Sequence, residues 1–298
     1  KSEAITVYLE STVADVQGFK GNFSSMIESN TGQRQKIHHG ATILATGGEE
    51  YRGEEYGYGQ SDQIVTQQEF EAMLANQAPY PCQGLPATVV MIQCVGPAEQ
   101  YCSRICCTVA LKNALTLKEQ HPSTQVIILY KDIRVYGFKE RLYTQARQKG
   151  VLFLRYNKFK PKVTFNRPPT ISTNNTTALL VQARDPSLGR AVDISTDLVV
   201  LSMPVVPNPD TRELANRFKV STDADGFFME AHVKLRPIDF ATEGVFMAGM
   251  AHYPKLVDEA MIQAQAAASR AARLLSKESI KAGGRVAVVD SDLCTGCL

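Results

Sequence analysis

The chain has 298 residues, 32 Lys and Arg against 30 Asp and Glu, a formal charge of +2, 44% hydrophobic residues and seven cysteines. That length carries about two ordinary domains and a substantial core, and the composition excludes a disordered or collagen-like chain. So balanced a charge speaks against dedicated nucleic-acid binding. No apolar run approaches the roughly 20 residues of a membrane helix, and no charged-then-apolar leader opens the sequence. No membrane span is therefore expected.

In chain order, Ile5–Leu9, Val13–Gly18 and Asn22–Ser29 suggest short strands. Ala41–Leu44 runs apolar into the turn Ala45-Thr46-Gly47-Gly48. Thr66 to Asn76 has Phe70, Met73 and Leu74 at helical spacing, with Thr66 and Glu69 in a capping-box pattern. Pro79–Pro86 is dense in turn residues and marks a boundary. A clean α/β alternation follows: strand Thr88–Gln93, helix Cys102–Gln120, strand Val126–Tyr130, helix Phe138–Lys149 and strand Val151–Arg155. Such alternation implies right-handed βαβ units and a parallel sheet. Val163–Phe165 and Leu179–Gln182 suggest an antiparallel hairpin, Leu198–Leu201 and Gly244–Gly249 two further strands, and Leu256–Ser276 a long Ala-rich helix.

The cysteines are clustered. Cys94, Cys102, Cys106 and Cys107 lie within fourteen residues, while Cys294 and Cys297 form a C-x-x-C at the end of the sequence. A secreted disulfide scaffold spreads its cysteines, so this pattern points to metal or redox chemistry in a reducing, cytoplasmic setting. In an open parallel sheet the binding crevice lies at the carboxyl ends of the strands. Here the first such turn reads C-V-G-P-A-E-Q-Y-C-S-R-I-C-C where a nucleotide-binding chain carries G-x-G-x-x-G. Only Gly96 remains of those glycines, so cysteine stands where phosphate recognition is expected.

Cys102 and Cys106 share a helix face, whereas Cys107 lies about 100° further round an ideal helix. One centre therefore needs an irregular helix start, or a cofactor seated over the helix N-terminus with Cys94 reaching in from the strand end. An anionic iron–sulfur cluster suits a helix N-terminus. A structural zinc and a dithiol made by Cys106-Cys107 are the alternatives. Cys82, alone in the linker, is expected to be inert.

The runs MIQCVG (Met91–Gly96), YCSRICCTVALKNALTLKEQHP (Tyr101–Pro122) and DADGFFMEAHVKLRPIDFATEGVFMAGMAHYPKLVDEAMIQAQAAASRAA (Asp223–Ala272) resemble the A-type subunit of heterodisulfide reductase and its bacterial relatives. The resemblance implies a thioredoxin-reductase-like α/β flavoprotein with two dinucleotide-binding-type domains, incomplete at its N-terminus, and a cluster-bearing βαβ module inserted in it. It divides the chain into flavin-domain segments 1–84 and 206–280, an inserted module 85–205, and the start of a ferredoxin-like module at 281–298. It implies that Cys94, Cys102, Cys106 and Cys107 ligate a 4Fe-4S cluster and that Cys294 and Cys297 are two ligands of the ferredoxin-like module. Lys112 matches the lysine that the family points at its flavin, where a cation stabilises the reduced ring. Ala45, Thr46 and Gly47 resemble the A-T-G turn that meets FAD, and Gly249 its second glycine turn, with Met250 in place of an aspartate. His252 and Lys255 are candidate flavin neighbours.

The family's first G-x-G-x-x-G is expected before Lys1, which leaves only an FAD half-site here. The function implied is electron transfer between FAD and iron–sulfur clusters, with other subunits of a heterodisulfide-reductase-like complex, ferredoxin-like modules and a second copy as partners. A quinone-interacting oxidoreductase or an aromatic-ring reductase complex would share this scaffold. From other classes, a zinc-bearing assembly module and an NAD(P)H-dependent disulfide reductase are the rivals, the latter opposed by the lost glycines.

Overall fold

The computed structural model describes residues 3–82, 84–156, 159–166, 178–187, 189–280 and 293–295. Three strands come first, β1 (Ser11–Phe19), β2 (Asn22–Ser29) and β3 (Arg34–His39), then β4 (Thr42–Leu44), β5 (Gly48–Glu50), β6 (Ile64–Thr66) and helix α1 (Gln67–Asn76). Next are β7 (Thr88–Ile92), α2 (Cys106–Gln120), β8 (Gln125–Tyr130), α3 (Glu140–Gln148) and β9 (Leu152–Arg155). The strands β10 (Lys162–Asn166), β11 (Ala178–Arg184), β12 (Ala191–Thr196), β13 (Leu198–Leu201) and β14 (Val205–Pro207) follow. Helix α4 (Thr211–Phe218), β15 (Val245–Met247) and α5 (Val257–Leu275) close the series.

The centre is a five-stranded parallel sheet ordered β6-β13-β7-β8-β9. Its strands are apolar on both faces because both faces are covered. One face buries Val89, Met91, Ile128 and Val200 against Phe70, Leu111 and Ala146 of the three helices. The other buries Val90, Ile92, Leu129 and Val199 against Leu179, Val181 and Ala183 of β11. That strand is the middle of an antiparallel meander, β10-β11-β12, to which β12 adds a strand beyond the expected hairpin. The sheet also reaches back past the expected boundary at residue 85. Ile64, Val65 and Thr66 of β6 are buried and pair with Val199, Val200 and Leu201, and α1 packs beneath them. The capping box at Thr66 and Glu69 forms as expected.

A second, smaller unit repeats this layering. β4 and β15 pair in parallel. The Ala267 and Ala271 face of α5 covers one side. The meander β1-β2-β3 and α4 cover the other, through Phe23 and Phe218, together with Phe228 and Phe240 from the segment between α4 and β15. Ile5–Leu9 does not form the expected strand; Ile5, Val7 and Leu9 are exposed and irregular, with no neighbouring strand to complete a ladder among the described residues. Between the two units β5 pairs with β14. No helix among the described residues is long and apolar enough to cross a membrane.

Candidate metal and flavin site

The buried run of β7 delivers the chain to the carboxyl end of the sheet, where Gln93 donates its N–H to Leu129 O at 2.9 Å. Cys94 then takes a left-handed φ of +60° and leaves the sheet line. Helix α2 begins at Cys106, not at Cys102 as its sequence suggests. Residues 101–104 are tied elsewhere. Tyr101 donates its hydroxyl to Val205 O at 2.5 Å, buried Ser103 accepts from Val205 N–H at 3.0 Å, and Arg104 has a φ of +61°. The helix start is therefore irregular, which frees Cys102 from the helical raster that would have set it apart from Cys107.

All four thiols line one cavity of about 250 Å³, together with Gln93, Arg104, Lys131 and Arg134. Lys131 and Arg134 come from the loop after β8, the parallel neighbour of β7, so the cavity spans the carboxyl ends of two adjacent strands. Among the described residues no three His, Cys, Asp or Glu side chains are grouped to hold a single metal ion.

Burial is the main influence on three of these thiols. It pushes Cys94 and Cys106 up and Cys107 to about 11, and the neighbouring thiols add to each shift. Lys131 and Arg134 pull Cys94 back down. As neutral thiols, Cys106 and Cys107 donate to Met203 O and Asp132 O at 3.6 and 3.7 Å. Thiols raised in this way become ligands together only beside strong positive charge, which metal supplies. Two buried groups on this cavity also lack partners among the described residues: both amide atoms of Gln93, and Nε of Arg104. The donor set, the cavity and the unmatched polar atoms fit a group with four thiolate ligands that also takes hydrogen bonds.

Cys106 is shared with a second cavity, about 280 Å³, which Gly48, Glu50, Gln67, Glu71, Met203 and Met250 also line. Burial raises the Glu50 carboxyl, against the pull of Arg52 at 2.8 Å and the Thr66 hydroxyl at 3.2 Å. Lys112 of α2 pairs with Glu71 of α1, both half-exposed, at the margin of this cavity. Beneath it, Asn113 donates to the Gln67 side chain at 2.9 Å, and Gln67 to Ser202 at 3.3 Å. Glu50, Gln67, Glu71 and Gln93 were not among the expected site residues, and no spacing in the sequence marks them.

The two glycine turns come together because β4 and β15 are parallel neighbours, with Leu44 opposite Met247. Ala45, Thr46 and Gly47 follow one strand and Gly249 the other. Gly47 and Gly249 have φ of +77° and +72°, and a Cβ at either meets nothing within 4 Å. Both turns are thus left-handed and open, the condition for backbone to approach a ligand closely. Thr46 O accepts from Asn208 at 3.3 Å.

His252 and Lys255 brace the second turn. Lys255, buried, donates to Gly249 O at 2.7 Å and Tyr253 O at 2.6 Å, and burial brings its pKa down to about 8. His252 sits between Glu230 at 2.9 Å and Gln263 at 2.7 Å, and Gln263 also accepts from Gly249 N–H at 2.9 Å. At the head of α5, Glu259 accepts from Leu256 N–H at 2.9 Å and from Arg104 of the cysteine loop at 3.3 Å. Arg104 also reaches Pro254 O at 3.0 Å.

Two cysteines stand apart. Cys82 lies beside a separate cavity with Tyr80 and His121. Cys294 is exposed, and its expected partner Cys297 lies outside the described residues, as does most of 281–298.

No family model matches the chain. The solved structure of T. acidophilum thioredoxin reductase matches with a TM-score of 0.51 and 15% identity, over 89% of this chain and 72% of that one. LpdA from Mycobacterium tuberculosis matches at 0.55 and 12%, over 92% and 50%. These likenesses establish a thioredoxin-reductase-like α/β fold. In sequence, the A-type subunit of the H(2):CoB-CoM heterodisulfide,ferredoxin reductase of Methanothermobacter thermautotrophicus is 38% identical over 279 residues, covering 88% of this chain and 41% of that protein. The A-type iron-sulfur subunit of the CoB–CoM heterodisulfide reductase of Methanocaldococcus jannaschii is 39% identical, again over 88% and 41%. The chain thus spans about two fifths of the length of these relatives. Over that span it is similar to the A-type subunits of heterodisulfide reductases.

Proposed function

We propose that this chain is the flavin- and cluster-holding part of an electron-transfer oxidoreductase subunit, working within a heterodisulfide-reductase-like complex beside ferredoxin-like modules. The observation that carries this reading is the single cavity lined by Cys94, Cys102, Cys106 and Cys107 at the carboxyl end of a parallel sheet. When bound, a 4Fe-4S cluster supplies one-electron transfer there and FAD supplies two-electron exchange.

The chain's residues have separate tasks in this scheme. The four thiols hold the cluster, Lys131 and Arg134 offset its negative charge, and the start of α2 adds its dipole. Ala45, Thr46, Gly47 and Gly249 let the backbone approach the flavin, with His252 and Lys255 fixing the second turn. Lys112, paired with Glu71, supplies a cation at the margin of the cavity that Cys106 shares. Cys294 and Cys297 serve the ferredoxin-like module.

Anaerobic reconstitution followed by iron and sulfide analysis, with EPR of the reduced protein, tests this. Cys102→Ala is expected to lose the signal and Cys82→Ala to keep it. A reconstituted wild-type protein without iron would overturn the reading.

A further inference from the structure

Gln93 is a buried polar group that the fold leaves unexplained. It is fully buried, yet neither its amide nitrogen nor its amide oxygen has a hydrogen-bond partner among the described residues. Leaving such a group unmatched costs about 1–3 kcal/mol. Its backbone, by contrast, is held at both ends: the N–H donates to Leu129 O at 2.9 Å, and the carbonyl accepts from the buried Tyr156 hydroxyl at 2.6 Å. The side chain has therefore been fixed in place without being satisfied.

Its position says what it faces. Strand alternation puts Gln93 on the same face as Val89 and Met91, which pack beneath α2. An apolar residue would continue that face, and the sequence changes to an amide at the last position before Cys94. Gln93 lines the cavity that the four thiols line, where α2 begins with Cys106 and Cys107. Lys131 and Arg134 supply charge at that cavity, whereas an amide supplies N–H donors in a fixed place without charge. Hydrogen bonds to the sulfurs are among the features that set the potential of an iron–sulfur cluster.

We propose that Gln93 is a positioning and tuning residue whose amide N–H donates to a sulfur of the group held by the four thiols, stabilising its reduced form. The inference rests on the cluster reading above. Donation to sulfur offsets negative charge, and the reduced state carries one more electron than the oxidised state. The donor therefore raises the reduction potential, and its loss lowers it.

The test is an EPR-monitored redox titration of the full polypeptide, reconstituted anaerobically, with iron content measured on the same samples. Gln93→Leu removes the donor while keeping a side chain of similar size, and Gln93→Glu keeps the shape while replacing the N–H donors with acceptor oxygens. Both are expected to bind iron as the wild type does. Both should be tenfold harder to reduce or worse, a fall of about 59 mV or more for one electron. Unchanged potentials in loaded variants would overturn the proposal and leave Gln93 to a buried water. Iron lost from both variants would equally overturn it, in favour of a packing role. A wild type that binds no iron refutes the cluster reading instead, so the two failures are distinguishable.

Discussion

The chain builds one layered plan twice, and the two copies differ in completeness. Around the cysteines, helices and the meander β10-β11-β12 enclose five parallel strands. Around the glycine turns, α5 and the meander β1-β2-β3 enclose two. In the larger copy the central strand β7 has Val89 to Ile92 fully buried. In the smaller one Ile43 of β4 is 40% exposed, and Val257, Met261 and Ile262 of α5 face solvent. The consequence reaches the sites. The thiol cavity is walled by a core this chain supplies itself, and its four cysteines are partly or fully buried. The glycine turns are open on the side where β4 has no second parallel neighbour among the described residues. A binding turn needs only a strand end, but a closed binding cavity needs the neighbouring strands as well.

Core truncation gives the largest expected effect and tests this contrast directly. Met91→Ala removes a fully buried side chain from β7 and should cost about 2–5 kcal/mol. Ile43→Ala, at a strand already open to water, should cost less than about 1 kcal/mol. Urea unfolding of the two variants measures both. Equal losses would mean that the two sheets are equally covered and would remove the distinction.

The same contrast explains how much was legible in the sequence. The runs at β7, β8 and β13 announce themselves because strands buried on both faces are continuously apolar, and Thr66 with Glu69 marks the start of α1. The three-residue strands β5, β6 and β14 are too short to show any period, although β6 moves the edge of the inserted sheet by some twenty positions. Helix α4 buries only Thr211, Ala215 and Phe218, too few for a helical stripe to stand out. At the site, the four cysteines were visible as a cluster in sequence. Their shared cavity depends on an irregular loop that helical spacing hides. Lys131, Arg134 and Gln93 could not be found by spacing, since the parallel pairing of β7 with β8 brings them together. Nor could the pairing of Arg104 with Glu259, which are 155 residues apart.

That pair is one of several links between the two units, beside the Lys139–Asp258 ion pair and the contact of Tyr101 with Tyr253, and its loss is the next largest effect. Glu259→Ala removes the acceptor for Leu256 N–H at the head of α5 as well as the partner of Arg104 and of the Tyr136 hydroxyl. A lost cap costs about 1 kcal/mol. Arg104 and Glu259 are each about one-third exposed, so their pairing adds only some tenths. Glu259→Gln retains an acceptor for the cap and should recover most of the stability. A double-mutant cycle with Arg104→Ala isolates the pair itself and should give a coupling of roughly 0.5 kcal/mol. A coupling near zero would mean that the pair adds nothing to the joining of the two units, which the β5-β14 pairing and the other contacts then carry.

The smallest expected effect belongs to the smaller unit and is read through pH. His252 is held below its ordinary value of 6.5 chiefly by burial, with Lys255 adding to the shift and Glu230 opposing it. Asp223 also opposes it from a distance. Because the folded pKa is the lower one, the unfolded chain takes up the proton first as pH falls. Stability is therefore full above about 6.5 and declines as pH drops through the folded value. Glu230 is held below its ordinary 4.5: burial alone would raise it, but its backbone hydrogen bond and His252 outweigh that. Its contribution is lost only further down, as pH falls through its own folded value. Thermal unfolding followed between pH 7.5 and 5.5 should show a falling midpoint in the wild type and a flatter profile in His252→Gln. Because Gln263 joins His252 to Gly249, that slope reports on the second glycine turn and leaves the thiol cavity untouched. An unchanged slope in the variant would show that protonation elsewhere sets the acid sensitivity, and that His252 does not brace the turn through its neutral form.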